Sequence, residues 1–303
     1  MNIQSKFSSM HTHTLFCDGK DDVETMCRAA YENDLFAIGF SAHAPLDKQL
    51  GSYTGWHLKS ENAQQYADEV NEAKKRWLGK LNVFLGFEVD YIKGIRCAHD
   101  SDIKALNLDY IISCVHYVVP ENGAQPFTVD GSKEEFEKGL NEGFNGDVNA
   151  LMHCYYETQK EMIELGGFDI LGHADLIKKN CLGKNLWSAE CEYAHQKEIA
   201  EAIAKAAAKA AAKAALNTDI VVEVNTGGLN RKKINETYPS LTFLRIISEL
   251  NIPVIITSDA HRAIDIKGNY DIALKTLILA NFKEHVLFNG KNNNKAIWLK
   301  EKI

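Results

Sequence analysis

The stretch "IPVIITSDAH" (252–261) is an apolar run that stops in an aspartate and a histidine. A continuous Val/Ile run without polar alternation fits a strand buried on both faces of a parallel sheet, not the half-wet strand of a sandwich. Asp259 and His261 are two residues apart, so an extended backbone points them the same way. Alone, this ending decides little. A single strand-end histidine is usually a hydrogen-bonded structural group, and an aspartate here could equally cap a helix.

The same arrangement recurs along the chain. Comparable runs are "FAIGFSAH" (36–43), "NVFLGFEVDY" (82–91), "YIISCVHYV" (110–118), "FDILGHAD" (168–175) and "DIVVEVNT" (219–226). Between them lie segments with helical periodicity: 21–34, 60–79, 132–165, 188–206 and 240–251. With the segment around "MHTHTLFCDG" (10–19), the pattern makes about seven strand–helix units, which predicts an α/β fold with a parallel barrel.

At or near the end of nearly every run stands a metal-competent side chain. His11 and His13 end the first, with Asp18 after a short turn; His43, His116 and His173 end others, and Asp259 and His261 end the last. Glu88 lies inside an apolar run, where a buried carboxylate needs a partner or a metal. In barrel enzymes, catalytic groups gather at the C-terminal ends of the strands. If first and last strands are neighbours, His11/His13 and Asp259/His261 converge. Nine imidazole and carboxylate candidates at one end predict a multinuclear centre for Zn, Fe or Mn, not an all-oxygen calcium site. The other histidines, His57, His99, His153, His195 and His285, fall in segments read as helix or loop and are expected to be exposed or structural.

The composition is compatible with this. The chain has 303 residues and a formal charge of −7, which excludes a broad basic face for nucleic acid but not an anionic small substrate, since bound metals add local positive charge. No apolar run approaches bilayer length, and "MNIQSKFSSMHTHT" (1–14) has no apolar signal core, so neither membrane insertion nor secretion is expected. The seven cysteines, Cys17, Cys27, Cys97, Cys114, Cys154, Cys181 and Cys191, are scattered without a C-x-x-C. They are expected to be reduced, in a cytoplasmic protein. Oligomeric state is not legible.

Two stretches stand apart. "AIAKAAAKAAAKAALN" (202–217) is a strong helix former expected to carry no chemistry. The segment of about 119–167 exceeds a simple crossover and begins with the turn-rich "PENGAQPFTVDGSKEEF" (120–136). It is expected to lie over the strand ends, where long loops tend to set substrate selectivity.

The motifs together resemble the polymerase and histidinol phosphatase (PHP) superfamily of metal-dependent phosphoesterases, and within it the histidinol-phosphate phosphatases. The residues carrying the likeness are "HTHTLFCDG" (11–19), "GFSAHAP" (39–45), "GFEVDYI" (86–92), "SCVHYV" (113–118), "DILGHADLIKK" (169–179), "EVNTGGLNRKK" (223–233), "YPS" (238–240) and "ITSDAH" (256–261). The resemblance covers nearly the whole chain and implies one distorted (β/α)7 TIM-like barrel over 1–303, with the insertion at about 119–167, and three divalent metal ions. It implies a first metal on His11, His13, Glu88 and Asp259. A second would be bridged by Glu88 and held by His116 and His173, and a third held by Asp18, His43 and His261. Asp18 stands where other branches of the superfamily use histidine, which favours the phosphatase branch.

The implied activity is hydrolysis of L-histidinol phosphate in histidine biosynthesis, a metal-bridging hydroxide attacking phosphorus. Another small phosphomonoester or phosphotyrosine is the alternative substrate; a trimming nuclease is disfavoured by the acidic charge. A metal-bound water, or a nearby acid such as His43 or Asp18, could supply the leaving-group proton. Arg231 is the candidate phosphate anchor, because a guanidinium grips phosphate oxygens bidentately. Lys178 or Lys179 is a weaker candidate, with a solvated loop as the plain alternative. An acidic or aromatic pocket is expected for the cationic part of the substrate.

Overall fold

The computed structural model describes residues 6–46, 55–181, 189–213, 220–293 and 295–303. The apolar runs form strands in chain order. These are β1 (Ser8–Ser9), β2 (Ala37–His43), β3 (Asn82–Asp90) and β4 (Tyr110–Cys114), then a short antiparallel ribbon of β5 (Tyr117–Val118) and β6 (Phe127–Thr128). β7 (Ile170–Leu171), β8 (Val221–Asn225) and β9 (Val254–Thr257) follow, and the chain ends in a hairpin, β10 (Glu284–Asn292) and β11 (Lys295–Lys302).

β1-β2-β3-β4-β7-β8-β9 form one sheet in that order, every neighbouring pair parallel. Its two edges meet beyond β1 and β9. There the His13 N–H donates to Ala260 O at 2.9 Å and the Ala260 N–H to His11 O at 3.1 Å. The result is a nearly closed, seven-stranded distorted TIM barrel flanked by helices. Because the closure runs through His11–His13 and Ala260, it draws the first and last donor pairs together.

The chain end supplies an element the periodicity did not suggest. Val286 and Phe288 of β10 reach the lower barrel interior and pack with Met10, Ala37, Tyr110 and Ile112. Phe288 is fully buried, and burying a side chain of this size stabilises by about 1.5–3 kcal/mol. His285, expected in helix or loop, lies on β10 and stacks on Phe7. One end of the barrel is therefore stopped with hydrocarbon, and the polar residues gather at the other.

The insertion divides where the sequence carries Asn-Gly-Asp. The helix Lys133–Phe144 starts with a Ser132/Glu135 capping box and ends at Asn145, in left-handed conformation with φ 51°. Asp147 then caps a second helix, Val148–Leu165. The periodic segment 132–165 is thus two helices, since asparagine tolerates positive φ at a helix end. Val148–Leu165 packs against the helix Ala189–Lys213, which takes in most of the Ala/Lys-rich stretch; residues 214–217 of that stretch lie outside the described residues.

Candidate metal centre

The His-x-His segment is shaped by the turn that follows it. A Cβ on Gly19 would lie 2.5 Å from the carbonyl carbon of His13, so only glycine lets the Asp18–Gly19 turn close over this backbone. The turn brings Asp18 to the face where His11 and His13 point. At the opposite end of the chain Asp259 adopts φ 47°, a conformation aspartate tolerates better than most residues. Gly227 makes room for it, since a Cβ there would lie 2.6 Å from Asp259 Oδ2 and 2.9 Å from Arg231 Nη2.

The nine candidates converge on Glu88. Its Oε2 lies 3.1 Å from His11 Nε2, 2.9 Å from His43 Nδ1 and 3.5 Å from His13 Nε2. Its Oε1 lies 2.8 Å from His173 Nε2 and 3.7 Å from His116 Nε2. Asp259 Oδ1 is 3.3 Å from His13 Nε2, and Asp18 Oδ2 is 3.0 Å from His261 Nε2. Among the described residues, three groups have donor atoms close enough to share an ion: His11, His13 and Asp259; Glu88, Cys114, His116 and His173; and His13, Asp18, His43 and His261. The grouping differs from the implied partition in three ways: Glu88 is not in the first group, Cys114 joins the second, and His13 stands in two groups.

Behind this set stand carboxylates that orient the imidazoles. Glu223 Oε1 is 2.6 Å from His11 Nδ1, and Glu223 Oε2 accepts from the His173 backbone N–H at 2.8 Å. Asp90 Oδ1 is 2.9 Å from His116 Nδ1. In both histidines the carboxylate engages Nδ1 and leaves Nε2 toward Glu88, the arrangement in which an outer carboxylate fixes a ligand's orientation and basicity. His57 adds to the support, its Nδ1 bonding Ala44 O at 2.8 Å and its Nε2 lying 3.6 Å from Asp90 Oδ2.

The electrostatics keep these carboxylates charged. Burial opposes ionisation of Glu88, but His43 and His11 outweigh it and hold the carboxyl well below its usual range. Asp259 behaves alike, with Arg231 the main opposing partner. Burial also disfavours a charged His116, yet Asp90 overcomes it and raises the imidazole to about 10. For His13 burial prevails, reinforced by His261 and His43, and lowers it to about 3.

The donor set fits metal ions. Buried His11 Nε2, His13 Nε2, His43 Nδ1, Asp18 Oδ1 and Glu88 Oε2 face one another with no hydrogen-bond partner in the described residues. Unpartnered buried polar atoms are costly, and mixed imidazole and carboxylate donors suit Zn, Fe or Mn.

The centre lies at the floor of a cleft of about 560 Å³. Arg231 reaches it, held by Asp259 Oδ2 at 2.8 Å and Asp259 O at 3.1 Å. Lys179 also lines it, beside Asp130 Oδ2 at 3.1 Å. Lys178 is not brought to the cleft. It is buried, donating to Asp175 Oδ2 at 3.0 Å and Thr237 O at 2.8 Å, with Glu236 at 3.2 Å. Among the lining residues not named from the sequence are Asp130 and Glu135 from the insertion, and Trp56, whose ring edges onto His43 and His116 at 4.4 and 5.1 Å between centroids. Asp90 and Glu223 were missed too, although a carboxylate inside an apolar run, the signal that marked Glu88, was present at both.

A family model described as the PHP domain matches residues 9–227. The chain belongs to the PHP domain family. A relative from Deinococcus radiodurans that carries a histidinol-phosphatase name is 26% identical over 269 residues, covering 88% of this chain and 91% of its own length. A Listeria monocytogenes structure that carries the histidinol phosphatase name hisK is 27% identical, covers 87% of this chain and 98% of that one, and superposes with a TM-score of 0.69. The histidinol phosphate phosphatase structure from Lactococcus lactis, complexed with zinc, L-histidinol and phosphate, is 18% identical. It covers 96% of this chain and 99% of that one, at a TM-score of 0.64. At that identity it speaks for the barrel fold alone.

Proposed function

We propose that the chain is a metal-dependent phosphomonoesterase that hydrolyses L-histidinol phosphate to L-histidinol and phosphate. The observation carrying this reading is the lining of the cleft. It joins the imidazole–carboxylate cluster around Glu88 to the cations Arg231 and Lys179 and to Asp130, Glu135 and Trp56. A phosphate needs cations, and an amino-imidazole needs anions and an aromatic face. The histidinol-phosphatase name of the Deinococcus radiodurans relative, and the histidinol and phosphate of the Lactococcus lactis complex, point the same way.

Three divalent ions, of zinc, iron or manganese, would be held by His11, His13, Glu88 and Asp259; by Glu88, His116 and His173; and by Asp18, His43 and His261. When bound, such ions activate water near neutral pH and neutralise phosphate oxygens. The protein's own residues do the rest. Arg231 grips the phosphate oxygens, and its attachment to Asp259 fixes where they lie. Lys179 adds a second cation, already aimed by Asp130. Asp130 itself stays ionised: burial opposes this, but Lys179 and His116 outweigh it and hold its carboxyl below the usual range. It forms a charged pair with Lys179 in the cleft lining, where Glu135 is a further carboxylate. His43, which lines the cleft, is our candidate to return a proton to the leaving oxygen; Asp18 lines it too, but His261 and His43 outweigh burial and hold its carboxyl ionised.

The insertion at about 119–167 acts as the selectivity segment of a single barrel unit. Seven free cysteines suit the reducing cytoplasm as its compartment; no described helix is long and apolar enough to cross a membrane. The test is phosphate release by metal-loaded protein from a panel of phosphomonoesters, with elemental analysis of protein purified without added metal. Preference for histidinol phosphate is expected. Equal turnover of sugar phosphates, nucleotides or phosphotyrosine would overturn the substrate.

A further inference from the structure

The second donor group contains a residue that neither the motifs nor the family resemblance assigned. Cys114 ends β4 and, two residues before His116, points to the same side of the backbone. Its Sγ lies 3.3 Å from Glu88 Oε1 and 3.4 Å from His116 Nδ1, and its donor atom falls within the second group with those of Glu88, His116 and His173. The chain delivers donors in such i, i+2 pairs elsewhere, His11/His13 and Asp259/His261, and Cys114/His116 repeats the spacing at the second group. Approach direction is informative as well. Glu88, His116 and His173 line the cleft, whereas Cys114 does not and is fully buried. The sulfur meets the group from the barrel interior, on the side away from substrate. Glu88 Oε1, the oxygen nearest the sulfur, is also the one that lies 2.8 Å from His173 Nε2 and 3.7 Å from His116 Nε2.

We propose that Cys114 is a sulfur ligand of the second metal, bound from the barrel interior and leaving the cleft-facing position open. On binding, the S–H bond breaks, the proton passes to solvent, and a sulfur–metal bond forms; a coordinating thiol is deprotonated outright. A soft thiolate beside two imidazoles and a carboxylate favours zinc, cobalt or ferrous iron over manganese. Cys114 thus biases which metal the second position accepts.

This inference rests on the metal-centre reading, and cobalt separates the two. Protein loaded with Co(II) should show the visible bands of bound cobalt together with an intense near-ultraviolet sulfur-to-cobalt charge-transfer band. The band should vanish in Cys114→Ser and persist in Cys17→Ser, the control for the thiol 3.5 Å from His13 Nδ1. Zinc preference over manganese should fall by about tenfold or more in Cys114→Ser. Circular dichroism checks the fold, with Cys114→Ala as a second variant. Cobalt bound without the charge-transfer band, or a band surviving in both Cys114 variants, would overturn the ligand role and leave the thiol as a hydrogen-bond donor to Glu88. Failure to bind cobalt at all would overturn the metal-centre reading itself.

Discussion

His11 and Glu223 meet at 2.6 Å, Nδ1 to Oε1, both fully buried and 212 residues apart in sequence. The contact turns His11 Nε2 toward Glu88. Burial opposes an ionised Glu223, but His11 more than compensates and holds its carboxyl below the usual range. Glu223 is thereby a fixed anion whose work is to aim another residue.

Glu223→Gln should keep the fold but lower affinity at the first metal position by about 10–100-fold, as loss of an orienting carboxylate does. Metal titration against a competing chelator measures this. Unchanged affinity would mean that the Glu223 contact is structural only.

Removing a central donor should be more severe. Glu88→Ala or His11→Ala is expected to abolish phosphate release and reduce bound metal measured by elemental analysis. Chelation of the wild type should mimic the loss, and added divalent metal should restore it. Full activity in either variant would sink the metal mechanism.

Arg231→Ala should lower kcat/KM on the order of 10²-fold, the usual cost of removing one donor to developing charge. Lys179→Ala should be milder, and Lys178→Ala should instead cost stability, because it leaves buried Asp175 without its cation. Steady-state kinetics and thermal melts on the three variants distinguish these outcomes.

Phe288→Ala should destabilise by about 3–5 kcal/mol while leaving kcat of the folded protein near wild type. Phe288 stops the end of the barrel remote from the donors. Denaturant unfolding followed by activity assays tests the separation, and a kcat loss without a stability loss would contradict it.

The same hairpin sets an acid sensitivity. Burial pushes the His285 imidazole below its ordinary value of 6.5. The folded protein then binds this proton less well than the unfolded chain, so the contribution is favourable above pH 6.5 and is lost as pH falls toward the lowered folded value. Urea midpoints at about pH 7.5 and 5.5 should differ less in His285→Phe than in wild type. An equal difference would assign the acid loss to other groups.

The site was legible because parallel barrels put chemistry at strand ends, and the strands themselves were apolar runs. His11, His13, Asp259 and most other donors could be marked by where each run stops, and Glu88 as a carboxylate inside one. Asp90 and Glu223 escaped although each interrupts such a run, because their role is to face a histidine and only the folded arrangement supplies it.

Other features had no sequence signal. Lys178 and Lys179 are neighbours on a short helix, where each residue turns the side chain by about 100°, so one lysine enters the cleft and the other is buried against Asp175. The choice depends on how that helix sits against Thr237 and Asp130. Trp56, Asp130 and Glu135 likewise reach the cleft through loop and insertion paths that periodicity does not encode. The sequence by itself determined the parallel strands and the donors they carry, since burial and backbone period are local constraints. Tertiary structure decided closure at Ala260, the Cys114 approach from the barrel interior and the hairpin stopper, because each depends on contacts between segments distant in the chain.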